Sequence, residues 1–171
     1  MKKIFIGFSY PTGNFEPFAF LIKWVESRPY DHCYIRFPEP MNNDYLIFQA
    51  SKEMVNIYNK DIWQSSNSPC KEYEIDINDE IYRDLWNFVK DNLGIPYSLK
   101  EDFGILLMKI FKLESNPYDN GKSAQFCSEL GANVCKILKL PIQEESSAID
   151  PSLLDSILSN LSLPLTVKPK F

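Results

Sequence analysis

The chain has 171 residues, 44% hydrophobic and 14% aromatic, enough to bury one substantial core, and no break in composition marks a second unit, so one domain over 1–171 is expected. A formal net charge of -5 and a pI near 5.0 leave no basic footprint, which removes nucleic acid as a default partner. No apolar run approaches the roughly 20 residues that span a bilayer; even Phe103 to Leu113 is interrupted by Lys109 and Lys112.

Lys3 to Phe8 reads as a buried strand, followed by a turn cluster at Tyr10-Pro11-Thr12-Gly13-Asn14. Pro17 suits the first turn of a helix whose apolar face is Phe18, Leu21, Ile22 and Val25, and Arg28-Pro29 ends it. Asp31 to Phe37 is a second strand, with Cys33, Ile35 and Phe37 on one face and His32, Tyr34 and Arg36 on the other. After a loop at Pro38 to Asp44, Tyr45 to Ala50 and Met54 to Tyr58 read as successive strands of an antiparallel meander. Ser65-Ser66-Asn67-Ser68-Pro69 is expected as a surface loop before a strand at Glu72 to Ile77.

From Asn78 the period changes. Ile81, Leu85, Phe88 and Val89 mark one face of a helix stopping near Leu93-Gly94, and Gly94-Ile95-Pro96-Tyr97 is a turn. Phe103, Leu106, Leu107 and Ile110 suggest a further helix packed on the core, and Asn116 to Gly121 breaks the chain before Cys127. Leu130, Val134, Ile137 and Leu138 then give an amphipathic helix that ends at Pro141. A last helix opens at Asp150-Pro151, cap followed by N1 proline, with Leu154, Ile157 and Leu161 inward.

The chemistry concentrates on two points. His32 is the only histidine, and Cys127 stands at an expected helix start, where the helix dipole and a nearby imidazole can lower a thiol pKa. A backbone N–H there can also donate to the oxyanion formed when the thiolate attacks a carbonyl. His32 precedes Cys127 by 95 residues, the reverse of the Cys-then-His order of papain-type enzymes. Gln49, at the solvent-facing parity of the neighbouring strand, is the candidate to orient the imidazole; Asp31 and Glu53 are weaker substitutes. Tyr10 and Tyr97 are candidates to line a substrate cleft, and Ser128 could adjust the helix start and meet the substrate.

Cys33, Cys70 and Cys135 read as buried fillers. The cysteines form no close C-x-x-C pair, and the first twenty residues lack the apolar stretch of a secretory signal, so a reducing compartment, the cytoplasm, is expected. One His with dispersed Cys residues makes no compact zinc set, and no dinucleotide or phosphate-cradling glycine motif is present; neither metal nor cofactor is expected.

Asp31-His32-Cys33-Tyr34-Ile35, Phe48-Gln49-Ala50, Gly94-Ile95-Pro96-Tyr97, Phe126-Cys127-Ser128-Glu129-Leu130 and Asp150-Pro151-Ser152-Leu153-Leu154 resemble, in order, the circularly permuted papain-like branch of the NlpC-type cysteine peptidases. That branch includes YiiX-like bacterial proteins and short phage proteins, which adds host cytoplasm or a virion as locations. The resemblance covers roughly Ile4 to Leu158. It implies an α+β fold in which a nucleophile-bearing helix packs on an antiparallel sheet carrying the His and its polar partner. By the same carry-over Cys127 is nucleophile, His32 general base and then acid, and Gln49 the orienting residue. The chain departs from the pattern in having Gln49 where many relatives have Glu, and Asp31 and Cys33 where small residues are common.

The expected function is a cysteine-dependent amidase or peptidase acting through a thioester on a peptide or a peptidoglycan-derived substrate. A lipid acyltransferase or thioesterase using the same site, and a non-catalytic binding or virion-associated structural protein, are the alternatives.

Overall fold

The structure, a computed structural model, describes residues 1–12, 28–42, 44–51, 53–113, 115–118 and 124–167. The helix expected over Pro17 to Val25 lies outside these residues, as do Gly13, Asn14 and the Asp119-Asn120-Gly121 part of the expected breaker.

The architecture is α+β. Among the described residues six strands, β1 (Lys2–Pro11), β2 (His32–Pro38), β3 (Tyr45–Ser51), β4 (Met54–Asn59), β5 (Asn67–Ile77) and β6 (Leu165–Val167), form one antiparallel sheet in the order β4-β3-β2-β1-β5-β6. The helices are α1 (Lys60–Gln64), α2 (Asp79–Asn92), α3 (Leu99–Phe111), α4 (Cys127–Ile137) and α5 (Pro151–Asn160). No helix among the described residues is long and apolar enough to cross a membrane.

β1 lies between two strands and is covered on both faces, which explains its near-continuous apolar reading. Ile4, Ile6 and Phe8 join Cys33, Ile35, Phe37, Phe48 and Ala50 in the main core, which α2, α4 and α5 close with Leu85, Val89, Leu130, Val134, Leu154 and Leu158. The opposite face carries a smaller cluster, Tyr34, Ile47 and Trp63. Trp63 comes from α1, capped by the Asn59 side chain accepting from Asp61 N–H.

Four expectations need correction. Asn67, Ser68 and Pro69 belong to β5 and not to a surface loop, because they pair with Pro11, Tyr10 and Ser9 at the far end of β1. α1 fills a stretch to which no element was assigned. On α3 the inward residues are Ile105 and Leu106, while Phe103 and Ile110 are exposed. β6 was not foreseen; three residues are too few for periodicity to register.

Candidate functional site

β2 and β3 are paired from Pro38↔Tyr45 to Ile35↔Phe48. Beyond that point both continue without pairing to each other: β2 stays on β1 through Ser9↔His32, and β3 stays on β4 through Ser51↔Met54. The sheet therefore opens between residues 32–34 and 49–51. A side-chain bond crosses the opening, His32 Nε2 to Gln49 Oε1 at 2.7 Å, and Trp63 Nε1–H donates to the same Oε1 at 2.7 Å.

Two ring nitrogens converging on one atom of Gln49 identify it as the carbonyl oxygen, since Trp Nε1 can only donate. Nε2 of His32 then carries the proton, and Nδ1 keeps the lone pair and is the basic nitrogen. Gln49 was expected at a solvent-facing position; it is instead buried, because Trp63 caps it while stacking on Tyr34 with ring centroids 4.4 Å apart. Burial pushes the His32 pKa down to about 4, with the Gln49 hydrogen bond opposing the shift. A neutral amide holds the ring in place but does little to stabilise its charged form.

Cys127 is the first residue of α4. Phe126 before it is extended, with φ -110° and ψ 169°, and supplies no side-chain cap. The approach to the helix is tied to the turn at 94–97: Gln125 N–H donates to Pro96 O and Ser98 N–H to Gln125 O, both at 3.0 Å, and Gln125 Nε2 donates to Asn92 Oδ1 at 3.1 Å. That turn is itself fastened to β4 by Val55 N–H to Ile95 O at 2.8 Å and Gly94 N–H to Val55 O at 2.9 Å. Gly94 has φ +82°, the left-handed conformation that ends α2 and reverses the chain toward β4. The Gly94-Ile95-Pro96-Tyr97 motif thus sets where the Cys127 helix begins.

α4 packs on β2 and β3. At Gly131 the packing leaves no room for a side chain: an added Cβ would lie 2.8 Å from Cys33 Sγ and 2.9 Å from Leu154 Cδ2. Cys127, Gly131 and Cys135 fall at i, i+4 and i+8 on one stripe, and Cys33 sits against its middle. Burial pushes the Cys33 thiol well above its usual value, with the neighbouring Cys127 and Cys135 adding to the shift, and burial pushes Cys135 up to about 12. Neither is a ready nucleophile at neutral pH. All four cysteines are buried thiols.

The structure joins His32 to Gln49 directly. Cys127 is brought to the α4 side of β2, in the cluster of Cys33, whereas strand alternation gives His32 the Tyr34 side. Cys127 neighbours Cys33, the residue that follows His32 in β2. Tyr97 is half-buried and bridges in parallel to Gln125, two residues before Cys127. Ser128 is fully buried beside Cys127, and its Oγ has no hydrogen-bond partner among the described residues. Tyr10 is 37% exposed at the end of β1 opposite Ser68. Glu53 is exposed in the turn after β3, where its carbonyl accepts from Tyr97 N–H. Asp31 is partly buried, its N–H donating to Ser9 O. Neither acid is the partner of His32 Nε2.

Trp63 is the residue that sequence reasoning missed. Its one local signal is Asn59-Lys60-Asp61, a cap and an acidic first turn, which marks a short helix but not the face it covers. Among the described residues no group of three or more His, Cys, Asp or Glu side chains is placed to hold a metal. No family model matches the chain, and no curated protein is found to match it.

Proposed function

We propose that this chain is a cysteine-dependent amidohydrolase with a permuted papain-like arrangement, acting on a peptide or cell-wall-derived amide. The observation that carries the reading is the His32–Gln49–Trp63 set, which fixes the tautomer and leaves Nδ1 as the base, while Cys127 at the start of α4 neighbours Cys33, the next residue of β2. In this reading thiol and imidazole meet across the opened end of the β2–β3 ladder.

His32 Nδ1 takes the Cys127 proton as Sγ attacks the amide carbonyl, and backbone N–H groups in the first turn of α4 receive the oxyanion. Collapse breaks the C–N bond, and His32 returns its proton to the departing amine, leaving a thioester. Water then attacks the thioester while His32 takes its proton; the acid leaves and the thiol is restored. Because His32 is held neutral at pH 7, the thiol is deprotonated at attack and not stored as an ion pair.

Iodoacetamide labelling of each cysteine, read by mass spectrometry across pH, tests the assignment. Cys127 is expected to label faster than Cys33, Cys70 and Cys135, and to lose that advantage in His32→Ala. Labelling of Cys127 at the rate of an ordinary thiol, indifferent to His32, would sink the hydrolase reading and leave a binding or structural domain.

One observation favours a second substrate class. The outward face of α3, which starts two residues after Tyr97, exposes Leu99, Phe103, Ile110 and Phe111. An exposed apolar face of this kind suits an acyl chain, and the same thioester would then pass its acyl group to water or an alcohol. Turnover of a long-chain thioester, with none of a dipeptide amide, would select this reading over the amidase.

A further inference from the structure

Ser9 is the direct cross-strand partner of His32, on the strand opposite to the one that supplies Gln49. Directly opposed residues of an antiparallel pair share a face, with Cβ atoms about 4.5–5.5 Å apart. The imidazole is therefore flanked by Gln49 from β3 and by Ser9 from β1. Ser9 is fully buried, and its Oγ has no hydrogen-bond partner among the described residues. Its backbone belongs to the sheet: Ser9 O accepts from Asp31 N–H at 3.2 Å, and the strand pairs on both sides. Alanine would serve the sheet equally well, and a buried hydroxyl left unpaired costs about 1–3 kcal/mol.

We propose that Ser9 is a positioning residue of this site: its hydroxyl is the acceptor that the imidazole uses when it carries its second proton. Nε2–H is bound to Gln49, and a second proton on the ring leaves that donor in place. Protonation during turnover creates one new donor, Nδ1–H, which needs an acceptor whenever it is not facing the thiol or the leaving group. Ser9 Oγ, directly across from His32 on the neighbouring strand and otherwise unpartnered, offers the lone pairs. Other charged and titratable groups around this face have partners of their own or lie to the side. Tyr34 Oη and Arg36 both bind Glu72 of β5, Lys60 and Asp61 of α1 face each other, Asp31 precedes His32 in the chain, and Cys127 approaches from α4.

The inference rests on His32 being a working base, yet its test does not use Cys127. Because the chain has one histidine, its ring C–H resonances can be followed through a pH titration without assignment. In Ser9→Ala the ratio of imidazolium to imidazole at pH 4.5 is expected to fall about tenfold, whereas Ser9→Thr, which retains the hydroxyl, keeps the wild-type ratio. Thermal stability of Ser9→Ala at pH 7 should equal or exceed that of the wild type, since the hydroxyl is unpartnered while the ring is neutral. A wild-type ratio in Ser9→Ala, or an equal fall in both variants, would overturn the proposal. Failure of the hydrolase reading would show separately, in the labelling of Cys127.

Discussion

Gln49 offers His32 a carbonyl dipole where a carboxylate would offer a full charge, and that difference sets the basicity of the ring. Gln49→Glu keeps the size and the two donors but adds an opposite charge at hydrogen-bond distance, a change that shifts pKa values by about 1–3 units. The His32 titration is expected to move up from about 4 by at least one unit in that variant, as read by ring C–H shifts; an unmoved titration would mean that Oε1 is not the partner. The depressed value also enters stability. Between the unfolded value of 6.5 and about 4 the unfolded chain binds a proton at His32 that the folded chain does not, so stability falls as pH drops through this window and is intact above it. Urea unfolding at pH 7 and pH 5 should show a smaller loss in His32→Gln than in the wild type. Trp63 acts at the same scale, through the Gln49 oxygen that it shares with His32.

At the scale of elements, the start of α4 is set by contacts that its own sequence does not contain. Its entry is fixed by the Gly94 to Tyr97 turn, and its depth against the sheet by Gly131 over Cys33. Gly131→Ala would place a methyl under 3 Å from both a strand thiol and a Leu154 methyl, so β2 and α5 must retreat together. A loss of about 1–3 kcal/mol in urea unfolding is expected, as for other overpacked cores. α5 is held more locally. Asp150 caps it by accepting from Leu153 N–H at 2.8 Å, takes Ser152 Oγ–H at 2.6 Å, and pairs with Lys109 of α3 at 2.9 Å. Asp150→Ala removes the cap and the tie between the helices, and about 1–2 kcal/mol of stability with them.

For the whole molecule the organising fact is a sheet covered on both faces by unequal layers. The thick layer of α2, α4 and α5 supplies most of the burial, and the thin layer of α1 shields the His32–Gln49 bond from water. On the thick side Asp155, itself buried, accepts from Tyr30 and Tyr73 and pairs with Lys71 at 2.6 Å. Burial alone would raise its pKa, but the hydrogen bonds from Lys71, Tyr30 and Tyr73 prevail and hold it below the usual 3.8. Its contribution is therefore present above pH 3.8 and is lost as pH falls through the lower folded value. Acid unfolding should begin with the His32 window and finish with Asp155. Asp155→Ala takes the acceptor from the Tyr30 hydroxyl and the counter-charge from Lys71, leaving Tyr73 and Lys71 only their bonds to Ser159 and the Asp155 backbone, and is expected to cost about 3 kcal/mol at pH 7.

The sequence by itself determined the elements whose signals are local. The alternation in Asp31 to Phe37 placed Cys33 and His32 on opposite faces, the cap and proline at Asp150-Pro151 started α5, and Gly94 ended α2, because each depends on the backbone and on residues within one turn. The candidates His32, Gln49 and Cys127 were legible for a different reason: residue chemistry and uniqueness do not depend on folding. Only the tertiary structure decided that Gln49 is buried, that Trp63 shares its oxygen with His32, that Ser9 stands on the other side of the ring, and that Pro69 lies in a strand. These follow from pairings between residues tens of positions apart, and from a helix too short for its apolar face to show a period. The sequence could also not announce the opening between β2 and β3. Each strand there keeps its alternation and its other neighbour, and what is missing is only the pairing between them.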